Sequence, residues 1–175
     1  LDTLLAQSSE LEAGRDALTS LLNRKFLSVV MGKELAFARD HHSTFSVLSI
    51  DVDHFKAIND SLGHDGGDAV LQHLAVVMTE YCRSGDYLFR MGGEEFLLLL
   101  VDCKPHDAER VANKLRDAVA KEPFRLPGER QHAVTVSIGV ASFSGHPDYQ
   151  SLLKRADEAL YQAKKAGRNR VVLAC

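Results

Sequence analysis

With 175 residues, the chain holds one ordinary domain plus a short appended element, since compact domains most often hold about 100 to 150 residues. Its 45% apolar and 26% charged residues are a globular composition able to bury a core without disulfides or metal staples, which excludes disorder and small disulfide scaffolds. A net charge of −3 excludes the basic surface that non-specific nucleic-acid binding needs, so no nucleic-acid partner is expected.

The chain opens on Leu1 and carries no secretion signal, so it is expected to be a piece of a longer protein. Leu1, Leu4, Ser8 and Leu11 fall at a and d heptad positions, which predicts residues 1–14 to be a helical stalk, the tail of a two-stranded coiled coil; a short amphipathic helix packed on its own domain is the alternative. Gly14 breaks the pattern, and a helix is expected from about Arg24 to His41. Phe45 to Val52 is β-rich and apolar and ends on Asp51-Val52-Asp53, so a buried strand delivers acids to its C-terminal end. Helix follows, broken near Gly63 and resumed from about Gly66 to Arg83, with Val70, Leu74, Val77, Met78 and Tyr81 on one face.

Two strands, Tyr87 to Met91 and Glu95 to Val101, are expected to be joined by Gly92-Gly93, because primed hairpin turns need positive φ. The longest apolar run, Phe96 to Val101, is far short of the roughly 20 residues that cross a bilayer, so no membrane partner is expected. Pro105 to Glu122 is helical by its period, Val134 to Ala141 alternates as a strand, and a last helix from about Asp148 to Ala166 stops at Gly167, after which Arg170 to Leu173 can add an edge strand. Three cysteines without C-x-x-C spacing suit reduced thiols and a cytoplasmic location.

In chain order the middle is βαββαβ, an α+β ferredoxin-like core with an added carboxy-terminal helix and strand. A right-handed crossover leaves room for the third strand between the first two. Asp51 and Asp53 then lie beside Glu94 and Glu95. Crowded carboxylates repel, so either one takes a proton or a cation neutralises them, and oxygen-only ligands favour Mg²⁺ or Mn²⁺. The competing reading makes Asp51 or Asp53 a helix cap and the glutamates a solvated hairpin tip. Five aspartates between Asp51 and Asp68, and six basic residues between Lys154 and Arg170, either meet at a site for a metal and a polyphosphate or are two solvated segments.

Gly92-Gly93-Glu94-Glu95-Phe96 resembles the signature of GGDEF domains, the diguanylate cyclases of nucleotidyl-cyclase, or palm, type. Asp16-Ala-Leu-Thr19 with Asn23-Arg24, Asp51-Val-Asp-His-Phe-Lys56, Asn59-Asp60, Gly63-His64, Gly67-Asp68, and Lys164 with Gly167-Arg168-Asn169 agree with that family in order and spacing. The resemblance covers about Asp16 to Val172, so residues 15–175 are expected to form the cyclase domain.

The resemblance implies condensation of two GTP into cyclic di-GMP with release of two pyrophosphates, through attack of each 3′-hydroxyl on the other α-phosphate. It assigns two Mg²⁺ or Mn²⁺ ions per site to Asp51, the Val52 carbonyl and Glu94. Glu94 is the base or only a metal ligand, with Glu95 as a supporting charge. It gives Lys56 the offsetting of transition-state charge, and Lys164 and Arg168 the β and γ phosphates. Asn59 and Asp68 read guanine, and His64 contacts substrate or is a structural histidine. Asp53 supports the metal ligands or caps a helix. Arg83-Ser84-Gly85-Asp86 resembles the family's R-x-x-D product-inhibition site, with a surface ion pair as the other reading.

Each domain would hold one GTP, so a homodimer is expected, driven through the stalk by an upstream sensor. The tail from Phe143 resembles cyclases of globin-coupled oxygen sensors. The rival class is a degenerate GGDEF module that binds GTP or cyclic di-GMP as a receptor; a metal-dependent phosphohydrolase would not need Asn59 and Asp68.

Overall fold

The structure is a computed structural model that describes residues 14–175. The predicted stalk therefore lies outside the described residues, Gly14 excepted. Among the described residues no helix is long and apolar enough to cross a membrane.

The centre of the domain is β2 (Ser46–Val52), whose seven residues are all buried. A strand covered on both faces must be apolar throughout, and Ser46, Ser49 and Asp51 break that rule. The first two satisfy their polar atoms within the protein. Ser46 Oγ donates to the Cys103 carbonyl at 2.8 Å and lies 2.6 Å from Ser142 Oγ. Ser49 Oγ donates to Asp157 Oδ1 at 2.7 Å.

Around β2 lie β1 (Leu22–Asn23), β3 (Tyr87–Gly92), β4 (Glu95–Leu100), β5 (Phe124–Leu126), β6 (Arg130–His132), β7 (Val136–Ser142) and β8 (Val171–Leu173). The main sheet runs β1-β3-β4-β2-β7-β8, and β5 pairs with β6 as a separate hairpin. The expected placement of the third core strand holds: β4 lies between β3 and β2 and is antiparallel to both, with β7 antiparallel to β2 on its far side.

The helices are α1 (Leu27–His41), α2 (Phe55–Thr79), α3 (Pro105–Lys121) and α4 (Tyr149–Lys165). Alternate strand residues send Leu48, Ile50, Phe96 and Leu98 into a core shared with Leu74 and Met78 of α2 and Leu115 of α3. Val47, Leu97 and Leu99 face the other way, onto Met31 and Leu35 of α1 and Leu152 and Ala156 of α4. Gly139 fixes how closely α4 approaches: a Cβ there would stand 2.1 Å from the Ala156 carbonyl oxygen and 2.3 Å from the Leu160 nitrogen.

Several expected boundaries shift. Arg24–Phe26 is a 3-10 turn, so α1 begins at Leu27. The second half of α2 stops at Thr79, whose hydroxyl bonds back to the Ala75 carbonyl at 2.7 Å. The break at Gly63 is real, with φ 76 and ψ 172. At the hairpin, Gly92 pairs with Glu95 across a bulge and Gly93 alone of the two glycines has positive φ, at 45. The turn is therefore Gly93-Glu94, one residue later than expected, which puts Glu94 at its tip.

Candidate active site

Asp51 sits next to last on β2, directly opposite Glu95 of β4 and Ser137 of β7. The Val52 amide donates to the Glu94 carbonyl at 3.3 Å, closing the ladder just behind the turn. Asp51 is 4% exposed, and Lys164, on the last turn of α4, donates to its Oδ2 at 2.5 Å. The acidic and basic segments thus meet through one ion pair. Burial pushes the Asp51 carboxyl above its ordinary value; Lys164 opposes the rise, while the charges of Glu94 and Glu95 add to it.

Asp53 does not cap α2. Helix α2 starts from His54 in the left-handed region, φ 55, with no side-chain cap. Asp53 instead accepts from Thr135 Oγ1 at 2.7 Å, Ser137 Oγ at 2.6 Å and the Asn169 amide at 2.9 Å. One buried carboxylate therefore ties the end of β2 to the start of β7 and to the loop that follows α4. Arg168 in that loop is exposed, and both Arg168 and Asn169 have positive φ, 62 and 45.

On α2, Lys56 is exposed on the first turn, whose backbone N–H groups have no side-chain cap. Asn59 is half-buried and lies over Gly67, where an added Cβ would meet its Oδ1 at 1.8 Å. His64 and Asp68 are exposed beyond the Gly63 kink. Glu94 is half-buried and Glu95 exposed. A cleft of about 740 Å³ runs between α1 and α4 over Ser49 and Leu97 and meets this constellation at Glu95. A ligand held by Asn59 and Asp68 would rest on an open face.

Arg83 and Asp86 stand at the opposite end of β3 from Glu94, about 20 Å away at 3.3 Å per residue. The Asp86 side chain is fully buried and that of Arg83 57% exposed. Asp86 accepts from Arg83 Nε at 3.2 Å and from the Val101 amide at 3.0 Å, and Arg83 also donates to the Val101 carbonyl at 2.5 Å. Asp86 holds the guanidinium in place and, by hydrogen bond and charge, raises its pKa further.

Sequence reasoning missed Arg90. It is a lone cation in the strand Tyr87-Leu-Phe-Arg-Met, and that departure from an apolar pattern is the signal that could have found it. Its Nε and NH2 donate to the Gly93 carbonyl at 3.0 and 2.9 Å. Its NH1 donates to Asp16 Oδ1 and Oδ2 at 3.2 and 3.1 Å. The turn that carries Glu94 is thereby clamped to the turn Asp16–Thr19 at the start of the described domain.

Among the described residues no group of three or more His, Cys, Asp or Glu side chains is gathered to hold a metal. Asp51, Glu94 and the Val52 carbonyl are nevertheless hard oxygen donors on adjoining backbone. They fit a Mg²⁺-like cation that takes its remaining oxygens from water and phosphate.

A ferredoxin-like sheet that brings a buried carboxylate, an acidic β-turn and a helix-borne lysine to one edge, beside a kinked helix, defines an α+β domain of the palm type. The chain belongs to the GGDEF family: the family described as diguanylate cyclase, GGDEF domain, matches residues 13–170. It is 44% identical over 173 residues to diguanylate cyclase DosC of Escherichia coli, covering 99% of this chain and 38% of DosC. It is 42% identical over 159 residues to the response regulator PleD of Caulobacter vibrioides, covering 90% of this chain and 35% of PleD. The chain thus spans under two fifths of these curated relatives. The coiled coil and GGDEF domain of DgcB from Caulobacter crescentus, solved in complex with c-di-GMP, superposes with a TM-score of 0.93 at 29% identity, covering 98% of this chain and 91% of that one. The active GGEEF domain of a Vibrio cholerae diguanylate cyclase gives 0.82 at 35% identity, covering 89% of this chain and 98% of that one.

Proposed function

We propose that the chain condenses two GTP into cyclic di-GMP, releasing two pyrophosphates, as one half of a homodimer. The observation that carries this reading is the meeting of Asp51, the Glu94-Glu95 turn and Lys164 at one sheet edge. Two divalent cations, Mg²⁺ or Mn²⁺, held by Asp51, the Val52 carbonyl and Glu94, supply charge stabilisation to the attacking and leaving oxygens when bound.

The protein's own residues bind and orient. Asn59, braced against Gly67, and Asp68 across the Gly63 kink address the guanine. A carboxylate matches its N1–H and amino donors, which adenine lacks, and polar groups left unpaired by the wrong base make the choice. His64 contacts the substrate from the same side. The first turn of α2 offers backbone N–H groups to phosphate oxygens, with Lys56 offsetting charge there. Lys164 and Arg168 take the β and γ phosphates. Glu94, at the tip of a turn clamped by Arg90, is placed to receive the 3′-hydroxyl proton, supported by the charge of Glu95.

Because one domain holds one nucleotide and each bond joins two, the second GTP comes on a second copy of the chain. The segment before Gly14 then links the domain to an upstream sensor. Arg83 and Asp86 form the place where cyclic di-GMP binds and inhibits, Arg83 offering its exposed fork and Asp86 holding it.

Incubation of concentrated protein with GTP and Mg²⁺, followed by mass-resolved chromatography, tests the reading. Cyclic di-GMP is expected from the parent and not from Glu94→Ala. Tight cyclic di-GMP binding without any turnover by the parent would replace the enzyme with a receptor.

A further inference from the structure

We infer that this site accepts its divalent cation and its GTP as one complex, because Lys164 is itself the cation at Asp51 and leaves only when phosphates offer it another place. The inference rests on the cyclase reading above and specifies the form of the substrate: the metal–nucleoside triphosphate complex, not the free ion followed by the nucleotide.

The ion pair is built into the fold. Lys164 Nζ lies 2.5 Å from Asp51 Oδ2, with the aspartate side chain 5% and the lysine side chain 34% exposed. Helix α4 is braced on both sides of this contact. Gly139 lets its backbone lie against β7 at Ala156 and Leu160. Ser49 holds Asp157, two turns before Lys164, at 2.7 Å. Asp53 holds the Asn169 amide, just past the helix end, at 2.9 Å. A lysine on so fixed a helix is delivered to Asp51 repeatably.

The rest of the donor set argues the same way. No group of three or more His, Cys, Asp or Glu side chains is gathered to hold a metal among the described residues, so a free cation at Asp51, Glu94 and the Val52 carbonyl would meet few protein ligands, with one carboxylate already carrying a counter-charge. Hard cations of this size retain several waters and bind through one or two carboxylates plus substrate phosphates. A triphosphate supplies both missing elements together. Its oxygens complete the cation's shell, and its negative charge receives the displaced ammonium. Lysine suits the exchange, being a compact charge on a flexible four-carbon stem that can swing from Asp51 to a phosphate while α4 stays in place. Arginine, in a planar fork, would hold the carboxylate more firmly.

The exchange predicts opposite signs for two affinities, which a purely structural lysine would not give. Mn²⁺ binding to the protein without nucleotide is measured from the electron paramagnetic resonance signal of the free ion, for the parent, Lys164→Gln, Lys164→Ala and Lys164→Arg. Lys164→Gln and Lys164→Ala are expected to bind Mn²⁺ about tenfold more tightly than the parent, the order expected when a unit charge a few ångströms from the ion is removed at a partly solvated site. Lys164→Arg is expected to show no gain, and Asp51→Asn combined with Lys164→Gln is expected to abolish it. In parallel, the two neutral variants are expected to require several-fold more GTP for half-maximal turnover. A misfolded variant would lose Mn²⁺ affinity and cannot mimic the gain. Unchanged or weaker Mn²⁺ binding by both neutral variants, in a parent that turns GTP and Mn²⁺ into cyclic di-GMP, overturns the exchange alone. A parent that makes no cyclic di-GMP under any condition overturns the cyclase reading and the exchange with it.

Discussion

Replacing Arg90 by methionine removes a guanidinium that holds two turns at once. It donates to both oxygens of Asp16 at 3.2 and 3.1 Å and to the Gly93 carbonyl at 3.0 and 2.9 Å. The two side chains are only 17% and 21% exposed, so the pair is not a solvated surface bridge of about 0 to 1 kcal/mol. Hydrogen bonds to charged groups contribute about 1.5 to 3 kcal/mol, and water can reach the groups left behind, so Arg90→Met should destabilise by about 2 to 3 kcal/mol. Asp16→Asn keeps its Thr19 contacts and should cost about 1 to 2 kcal/mol. The double variant should cost little more than Arg90→Met, giving a coupling energy of about 1 to 2 kcal/mol in a urea-unfolding cycle.

Turnover should fall further than stability explains, because a misplacement of about 1 Å at a reacting group can cost about a hundredfold and Glu94 follows Gly93 directly. The pH dependence has a definite sign. Burial alone would raise the Asp16 carboxyl, but bonds from the Thr19 hydroxyl, the Thr19 amide and Arg90 together hold it below 3.8. Its stabilising contribution is therefore complete above 3.8 and is lost as pH falls through the lower folded value. The parent's margin over Asp16→Asn should shrink in that acid range. A coupling energy near zero, or Arg90→Met with full turnover, would refute the clamp.

Asp51→Asn should abolish turnover, by at least about a hundredfold, the scale of one charge contact made in the transition state, yet raise the urea midpoint at neutral pH. Burial raises the folded carboxyl above 3.8, so its ionisation weakens the fold above that raised value, and the variant's advantage should fade as pH drops toward 3.8. A midpoint lower than the parent's at neutral pH would contradict this. Gly67→Ala should displace Asn59 and raise the KM for GTP several-fold more than it lowers kcat; an unchanged KM for GTP would refute Asn59 as a guanine contact. Cys82, pushed to about 11 by burial and by Asp86, should stay unmodified by iodoacetamide at pH 8 while exposed Cys175 reacts, with labelled peptides identified by mass spectrometry. Equal labelling would contradict the raised pKa of the half-buried Cys82.

The sheet edge that carries the site was legible because its causes are local: an apolar strand ending in acids, a glycine hairpin, and a crossover of fixed hand that leaves one place for β4. Asp51 therefore meets Glu95 as expected. The turn slipped by one residue because of a bulge between Arg90 and Gly92, beside a clamp whose partner Asp16 lies 74 residues from Arg90. Asp53 was ambiguous for the same reason. A short acid before a helix suits a cap, and only the tertiary approach of Thr135, Ser137 and Asn169 claims it. The β5–β6 hairpin went unread, since Phe124-Arg-Leu and Arg130-Gln-His are too short and too polar to give a period, while Pro127 and Gly128 signal only a turn. Arg83 and Asp86 were found as a motif, but their bonds to Val101 come from β4 pairing beside β3 and leave no local trace.

The central claim is tested most directly by incubating the protein, concentrated enough to pair, with GTP and Mg²⁺ and quantifying all products in the same reaction. The account predicts cyclic di-GMP and pyrophosphate in a ratio of one to two, rising more than linearly with protein concentration and absent with Glu94→Ala. GDP and inorganic phosphate without cyclic dinucleotide, or equal consumption of ATP, would contradict it.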